Sequence, residues 1–535
     1  MAEQTFPWLT AMIVVPLVGA AVLWALPRGA RRHARAVAVA VSLVVLALGV
    51  AATLAFDTAQ AATHQLTEQA AWIPALGVSY ALGVDGVGLS LVLLSVVLVP
   101  LVLLAAWREH PDAALADGEL DPAEATAGDV AGDRIRRYMA LVLVLEAFMV
   151  AIFAARDVFL FYVLFEAMLI PVYFMIGAFG GLQRRYAAVK FLLFSLAGGL
   201  VMLAGVIALY LQGPGGPDGF LVENLVGAEM STTTERLIFL AFFLAFAIKA
   251  PMWPVHTWLP DAAEQAPAGT NVLLVGVLDK VGTFGMLTLC LPLFPEASRW
   301  AAPVIIVLAV ISILYGALLA IGQADLMRLI AYTSVSHFGF IVLGIFAFTS
   351  VSIQGASFYM VNHGLSTGAL FLLAGFLVAR RGSQRIADFG GLQKVVPVLA
   401  GTFLVAGLSA LSLPGLSTFV SEFLVLVGTY ASNRPAAVVA TLGVVLAALY
   451  VLWTYQKVFT GPVRPELAAT VDLSAREKWV VGPLIAAMLV LGFYPAPALD
   501  LVREPAQTSL TQVGVDDPQA TQVASTTISE DGSDQ

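Results

Sequence analysis

Charge is what this chain of 535 residues has least of. Only 12% of its residues are charged while 59% are hydrophobic, against about 25% charged in an ordinary soluble domain. The mean hydropathy of +0.89 points the same way, to an integral membrane protein. Cysteine is almost missing as well. Cys290 stands alone inside an apolar run, which excludes disulfides, cysteine-held iron–sulfur clusters and cysteine zinc sites. The six histidines form no HxxxH or HExxH pattern, and neither a dinucleotide-binding glycine turn nor a P-loop is present. Redox chemistry or nucleotide hydrolysis that powers this protein therefore belongs to other chains. No small-residue cleavage pattern follows the first apolar stretch, which reads as a retained span and not a signal peptide.

Long apolar runs are what remain. A bilayer core needs about 20 apolar residues per helix, and fourteen segments qualify, beginning near Leu9, Ala36, Val87, Tyr138, Val158, Val189, Leu237, Asn271, Ala301, Leu329, Phe358, Val398, Ala437 and Trp479. The fourth and fifth are separated only by "AARD" at 154–157. Cytoplasmic loops collect Lys and Arg. With fourteen spans and both termini outside, 20 basic residues lie in inner connections and five in outer ones, and two of the 27 lie within the membrane. The reading is all-α and polytopic. Residues 1–107 hold three helices and 108–136 an acidic cytoplasmic loop. Residues 137–291 and 301–460 hold two five-helix units, 478–500 a last span and 507–535 a disordered tail.

Ionisable groups at the bilayer centre are costly and usually functional, and this chain has a row of them: Glu146, Glu166, Lys249, Lys280, His337, His363 and Glu422. Lys249 follows about twelve apolar residues, which puts it roughly 18 Å deep by helix rise. Lys280 sits near the middle of its span. Glu146 can equally be a polar contact between helices, and a membrane histidine is often only an interhelical hydrogen bond. Asp279 points about 100° away from Lys280 and reads as a satisfied polar contact. His256, Asp261 and Glu264 match no metal-ligand spacing. Pro251 and Pro254 break the seventh span beside Lys249, and Pro414 with Gly415 breaks the twelfth before Glu422. Proline opens the hydrogen-bond ladder, and unwound backbone is tolerated in a membrane only where protein or a hydrated cavity surrounds it. Freed carbonyls there are expected to hold water or a cation. Two broken helices five spans apart run in opposite directions, the signature of inverted repeats, here helices 4–8 and 9–13 with helices 7 and 12 discontinuous.

The stretches "FEAMLIPVYFMIG", "FAIKAPMWPVHTWLPDAAEQAP", "LDKVGTFG", "AYTSVSHFG" and "LSLPGLSTFVSEF" resemble the antiporter-like membrane subunits of respiratory complex I, over roughly residues 134–460. The glutamate at 422, where sister subunits carry lysine, points to the chain M group. The resemblance implies a Glu166–Lys249 pair, a central relay at Lys280, a continuation through His337 and His363, and a terminal group at Glu422. Two departures stand out: "DAAEQAP" lacks the histidine common in that loop, and Asp279 replaces an apolar residue. The resemblance also implies proton translocation in a bacterial plasma membrane, beside two sister antiporter-like chains and other complex I membrane subunits. It implies no cofactor in this chain, with NADH, FMN, iron–sulfur clusters and quinone elsewhere in the complex, and no nucleic-acid partner. A subunit of a multi-subunit Na+/H+ antiporter, or of a membrane-bound hydrogenase, shares these helices and charges. A membrane scaffold would not need the charges.

Overall fold

The computed structural model describes residues 6–108 and 128–518. Two helices, α1 (Trp8–Ala25) and α2 (Ala34–Ala55), lead into an antiparallel hairpin, β1 (Gln65–Ile73) with β2 (Val78–Val84). This hairpin is an addition to the all-α reading. Then follow α3 (Gly86–Ala105), α4 (Gly128–Ala154), α5 (Val158–Ala167), α6 (Leu169–Phe179) and α7 (Arg184–Gln212). After a short α8 (Val222–Leu225) come α9 (Thr232–Lys249), α10 (Trp258–Gln265), α11 (Ala268–Leu273), α12 (Lys280–Gly285) and the single turn α13 (Leu291–Leu293). The last stretch is α14 (Pro295–Ile321), α15 (Leu326–Phe346), α16 (Ser350–Arg381), α17 (Pro397–Ala410), α18 (Ser417–Ser432), α19 (Arg434–Phe459), α20 (Ala475–Phe493) and α21 (Ala496–Val513).

Eleven of these segments are long and apolar enough to cross a membrane, or twelve if the pair α20–α21, bent by 69°, is taken as one. The segments starting near Leu237 and Val398 fall outside that count: α9 carries Glu235, Arg236 and Lys249 within its 18 residues before the chain breaks toward α10, and the other is split into the shorter α17 and α18. Polar residues at the starts explain where many helices begin. Asp157 accepts from Leu160 N at 2.9 Å, Asp325 from Arg328 N at 2.9 Å, and Thr349 and Ser474 each close a capping box. Each such cap supplies an acceptor to an otherwise orphaned amide, worth about 1 kcal/mol. The short link at 155–157 does turn the chain, because Ala155 bridges Leu82 and Asp157 bridges Leu221.

Two boundaries move. The expected loop 108–136 ends early, since α4 already begins at Gly128; residues 109–127 lie outside the described residues. The expected disordered tail from Gln507 is helical to Val513, because Val502, Pro505, Ala506, Ser509, Leu510 and Val513 bury one face of α21 against the bundle; residues 519–535 lie outside the described residues.

Burial sorts the helices into an inner and an outer set. The spans Ala268–Leu293 and Leu326–Phe346 are 94% buried, whereas Gly29–Ala55 and Arg434–Phe459 are 28% buried. Outer helices show apolar side chains to the surroundings, as a bilayer requires. The inner helices carry the polar residues.

Candidate functional site

The break after α9 places Lys249. Ala250 leaves helical geometry with ψ 49°, and the chain does not resume a helix until Trp258. The freed backbone groups are taken by protein: Trp258 Nε1 donates to Ile248 O at 2.9 Å, and Trp253 N donates to Ser312 Oγ at 2.7 Å. The expectation that freed carbonyls hold water or a cation is thus corrected at Ile248, whose oxygen already has an indole partner. Lys249 Nζ is fully buried, without a hydrogen-bond partner among the described residues, and stands 5.3 Å from the Phe165 ring centre and 5.7 Å from that of Phe191. It lies within electrostatic reach of Glu166 and Asp279.

Glu166 ends α5, where the helix is interrupted at Met168 before α6. Its carboxylate rests on the bare backbone of Gly199 in α7, so closely that a Cβ built there would lie 1.5 Å from Oε1. Only glycine leaves room for the acid in this pose.

Lys280 is placed by a different device. Residues Leu274–Leu278 form a π-helical turn, which widens the ladder and frees a carbonyl; such turns are frequent at functional sites. Lys280 Nζ donates to Val275 O at 2.5 Å and meets His363 Nδ1 at 2.7 Å, with the Phe338 ring centre 5.0 Å away. Asp279 is fully buried, neither carboxylate oxygen has a hydrogen-bond partner among the described residues, and it is within electrostatic reach of both lysines. The reading of Asp279 as a satisfied polar contact is therefore corrected, since both of its buried oxygens lack a partner among the described residues.

From Lys280 the polar groups continue across α15, α16 and α18. The rings of His363 and His337 are 5.2 Å apart and nearly perpendicular. The Tyr450 hydroxyl on α19 is 3.3 Å from His337 Nε2. Tyr359 donates its hydroxyl to Glu422 Oε2 at 2.8 Å, and Ser412 donates to the same oxygen. Ser412 reaches Glu422 because the second break turns the chain there: its φ is +60° and that of Gly415 is +92°. Pro414 and Gly415 thus serve Glu422 as Pro251 and Pro254 serve Lys249.

Glu146 is fully buried on α4 with both oxygens unpartnered among the described residues, and nothing described joins it to the others. Asp261 and Glu264 pair with cations: Lys190 Nζ is 2.6 Å from Asp261, and Arg328 Nη1 is 2.6 Å from Asp261 and 2.8 Å from Glu264. His256 packs edge-on against Tyr315. Sequence reasoning missed Tyr359, Tyr450 and Ser412. Tyr359 carried one signal, standing four residues before His363 and so on the same face of α16.

Residues 155–449 match the family model described as NADH:quinone oxidoreductase/Mrp antiporter, TM. NADH-quinone oxidoreductase subunit M of Mycobacterium tuberculosis is 49% identical over 528 residues, covering 96% of this chain and 95% of that protein. A chain of respiratory complex I from Thermus thermophilus superposes with a TM-score of 0.83 at 32% identity, covering 95% of this chain and all of that one. A chain of the Mrp complex from Dietzia superposes with 0.80 at 23% identity over 94% and 98% of the two chains, a likeness of fold alone. On the family match, the extent of the identity and the fold together, the chain belongs to the NADH:quinone oxidoreductase/Mrp antiporter membrane family, and within it to the subunit M group of NADH-quinone oxidoreductase.

Proposed function

We propose that this chain carries protons across a bacterial plasma membrane along the row Glu166, Lys249, Asp279, Lys280, His363, His337, Tyr359 and Glu422. NADH oxidation and quinone reduction in other subunits of an NADH-quinone oxidoreductase would drive it. The observation that carries this reading is the direct contact of Lys280 Nζ with His363 Nδ1 at 2.7 Å, buried and continued by aromatic and hydroxyl neighbours as far as Glu422. An ammonium has only protons to donate, so in this contact His363 Nδ1 is the acceptor and Nε2 carries the hydrogen. His363 Nε2 and His337 Nδ1 are both buried without a side-chain partner among the described residues, and a bridging water between the two rings would complete this part of the row. Water likewise joins Lys249 Nζ to the free oxygens of Asp279. Glu166 acts as the switch: its carboxylate, close to Lys249, holds the proton there, and its withdrawal releases the proton toward Asp279 and Lys280. Each proton moved against 100 mV costs about 2.3 kcal/mol, which the redox reaction elsewhere supplies.

Several finer points of the reading go with this. Counting the two broken segments as spans makes fourteen, arranged as inverted repeats of helices 4–8 and 9–13 with both termini outside. Sister antiporter-like chains flank the bundle. Glu166 is only partly buried, beside the exposed Ile170 and Phe174, and a carboxylate at bilayer depth needs a protein neighbour and not lipid. Glu146 acts as a secondary relay or interhelical contact. The 49% identity to a subunit M, against 23% to the Mrp chain, favours this reading over an antiporter or hydrogenase subunit. To test it, Lys249→Ala and Glu422→Ala are placed in the assembled complex in sealed vesicles and protons moved per NADH are counted. The reading expects the ratio to fall by at least this chain's share in each; undiminished pumping in both, with the complex intact, contradicts it.

A further inference from the structure

A cavity of about 190 Å³ opens between the hairpin, α5, α8, the end of the eighth span and α21. It has room for several waters. One wall is ionisable: His64 Nδ1 lies 3.4 Å from Glu223 Oε1, and Arg156 holds the same oxygen from Nε at 2.8 Å and Nη2 at 2.7 Å. Asp85 lines it too, capping α3 through Gly88 N at 2.7 Å. Burial pushes the Asp85 carboxyl above the usual carboxylate range, against the pull of His64. The opposite wall is aromatic, made of Phe153, Phe161 and Phe284. Phe161 packs edge-on to Phe246 at 6.0 Å, three residues before Lys249, and Phe284 stands one helical turn after Lys280 on the same face. Phe161 and Phe284 thus line the cavity while belonging to, or packing on, the helical segments that carry the two lysines.

A second, independent feature marks this wall. Residues Met286–Cys290 form another π-helical turn, which the contacts of Lys280 do not require, since those use the turn at 274–278. This second turn presents Leu287, Thr288 and Leu289 to the cavity. Thr288 Oγ1 donates to Phe284 O at 2.8 Å. A hydroxyl therefore sits in the cavity wall one helical turn beyond Phe284, itself one turn beyond Lys280.

We propose that this cavity is a second aqueous mouth of the row, passing protons between Lys280 and the Glu223–His64 pair when the Phe284 ring swings aside. The inference rests on the proton-carrying reading above and adds a branch to it. In the step, an N–H bond of the Lys280 ammonium breaks and the proton passes to cavity water at Thr288. It ends on the Glu223 carboxylate or the His64 imidazole, and the neutral amine is reprotonated from Lys249. Arg156 keeps Glu223 in place, so the acceptor stays at the cavity wall.

Because other subunits of the complex bring their own thiols, labelling is read on this chain alone and the Cys290→Ala complex, treated in parallel, gives the baseline for pumping. In a Cys290→Ala background, Thr288→Cys and, separately, Thr508→Cys on the α21 wall are introduced into the full complex in sealed vesicles. Each is exposed to a small charged methanethiosulfonate from one membrane face at a time, with the exposed Gln60→Cys as the surface control. The expected result is labelling of both cavity thiols from the face that labels Gln60→Cys, with modification of Thr288→Cys lowering protons moved per NADH below the Cys290→Ala baseline, by up to this chain's share. Cavity thiols that stay unlabelled while the control reacts overturn the proposal. So does labelling of Thr288→Cys that leaves pumping unchanged. Either result alongside a loss of pumping in Lys249→Ala and Glu422→Ala removes only the branch; unimpaired pumping in those two removes the row itself.

Discussion

Tyr359 shows how much a single hydroxyl contributes at this depth. Its O–H is one of two donors on Glu422 Oε2, and a hydrogen bond to a charged group is worth about 1.5–3 kcal/mol. Tyr359→Phe keeps the ring's packing and removes that donor, so protons moved per NADH are expected to fall, by up to this chain's share, while the complex assembles normally, as a vesicle proton assay beside an immunoblot would register. Gly199→Ala makes a steric counterpart: its methyl occupies the space of Glu166 Oε1 and should uncouple proton movement from NADH oxidation. Gly401→Ala, which meets nothing within 4 Å, should pass unnoticed in the same assay. The lysines, glutamates and histidines were legible in the sequence because a charge within an apolar run is costly wherever the chain folds. Tyr359, Tyr450 and Ser412 were not, since tyrosine and serine are ordinary in membrane helices. Tyr359 and Ser412 come to Glu422 from separate elements, and Tyr450 comes to His337 from a third.

Elements differ in how openly the sequence announces them. The two breaks were legible because proline cannot keep the ladder intact, and both fall beside an ionisable group. The π turns at 274–278 and 286–290 left no mark, since π geometry has no residue code comparable to proline's. The hairpin was missed for another reason. Windows of about 20 residues that detect spans pass over strands of nine and seven. What the sequence also left open is how the broken backbone is satisfied. Trp258 supplies the answer at Ile248 O, and leaving such a buried carbonyl unpaired costs about 1–3 kcal/mol. Trp258→Phe should therefore lower the thermal midpoint of the purified complex or raise protease cleavage within 250–257, whereas Trp72→Phe, on the exposed hairpin, should change neither.

Across the whole molecule, inner helices gather the polar groups and outer helices meet the bilayer or neighbouring chains. α21 ties one face of this bundle together. Arg299 donates to Val513 O, Ser350 donates to Asp517, and Gln354 Nε2 donates to Leu499 O at 3.2 Å. Ending the chain at Phe493 removes all three ties, and we expect the hairpin and the 347–350 turn to become protease-sensitive while the chain still inserts in the membrane; an unchanged digestion pattern would show that α21 does not brace that face. Lys280 touches its own span through Val275 O and α16 through His363, which makes it the junction of the proposed row. Counting protons moved per NADH oxidised in sealed vesicles with Lys280→Met, a substitution that keeps the side chain's length and bulk but has no proton to pass, tests that junction most directly. A ratio reduced by at least this chain's share, in a complex that assembles and binds its partners, is the predicted result; a ratio equal to that of the unaltered complex would contradict a proton path through this row.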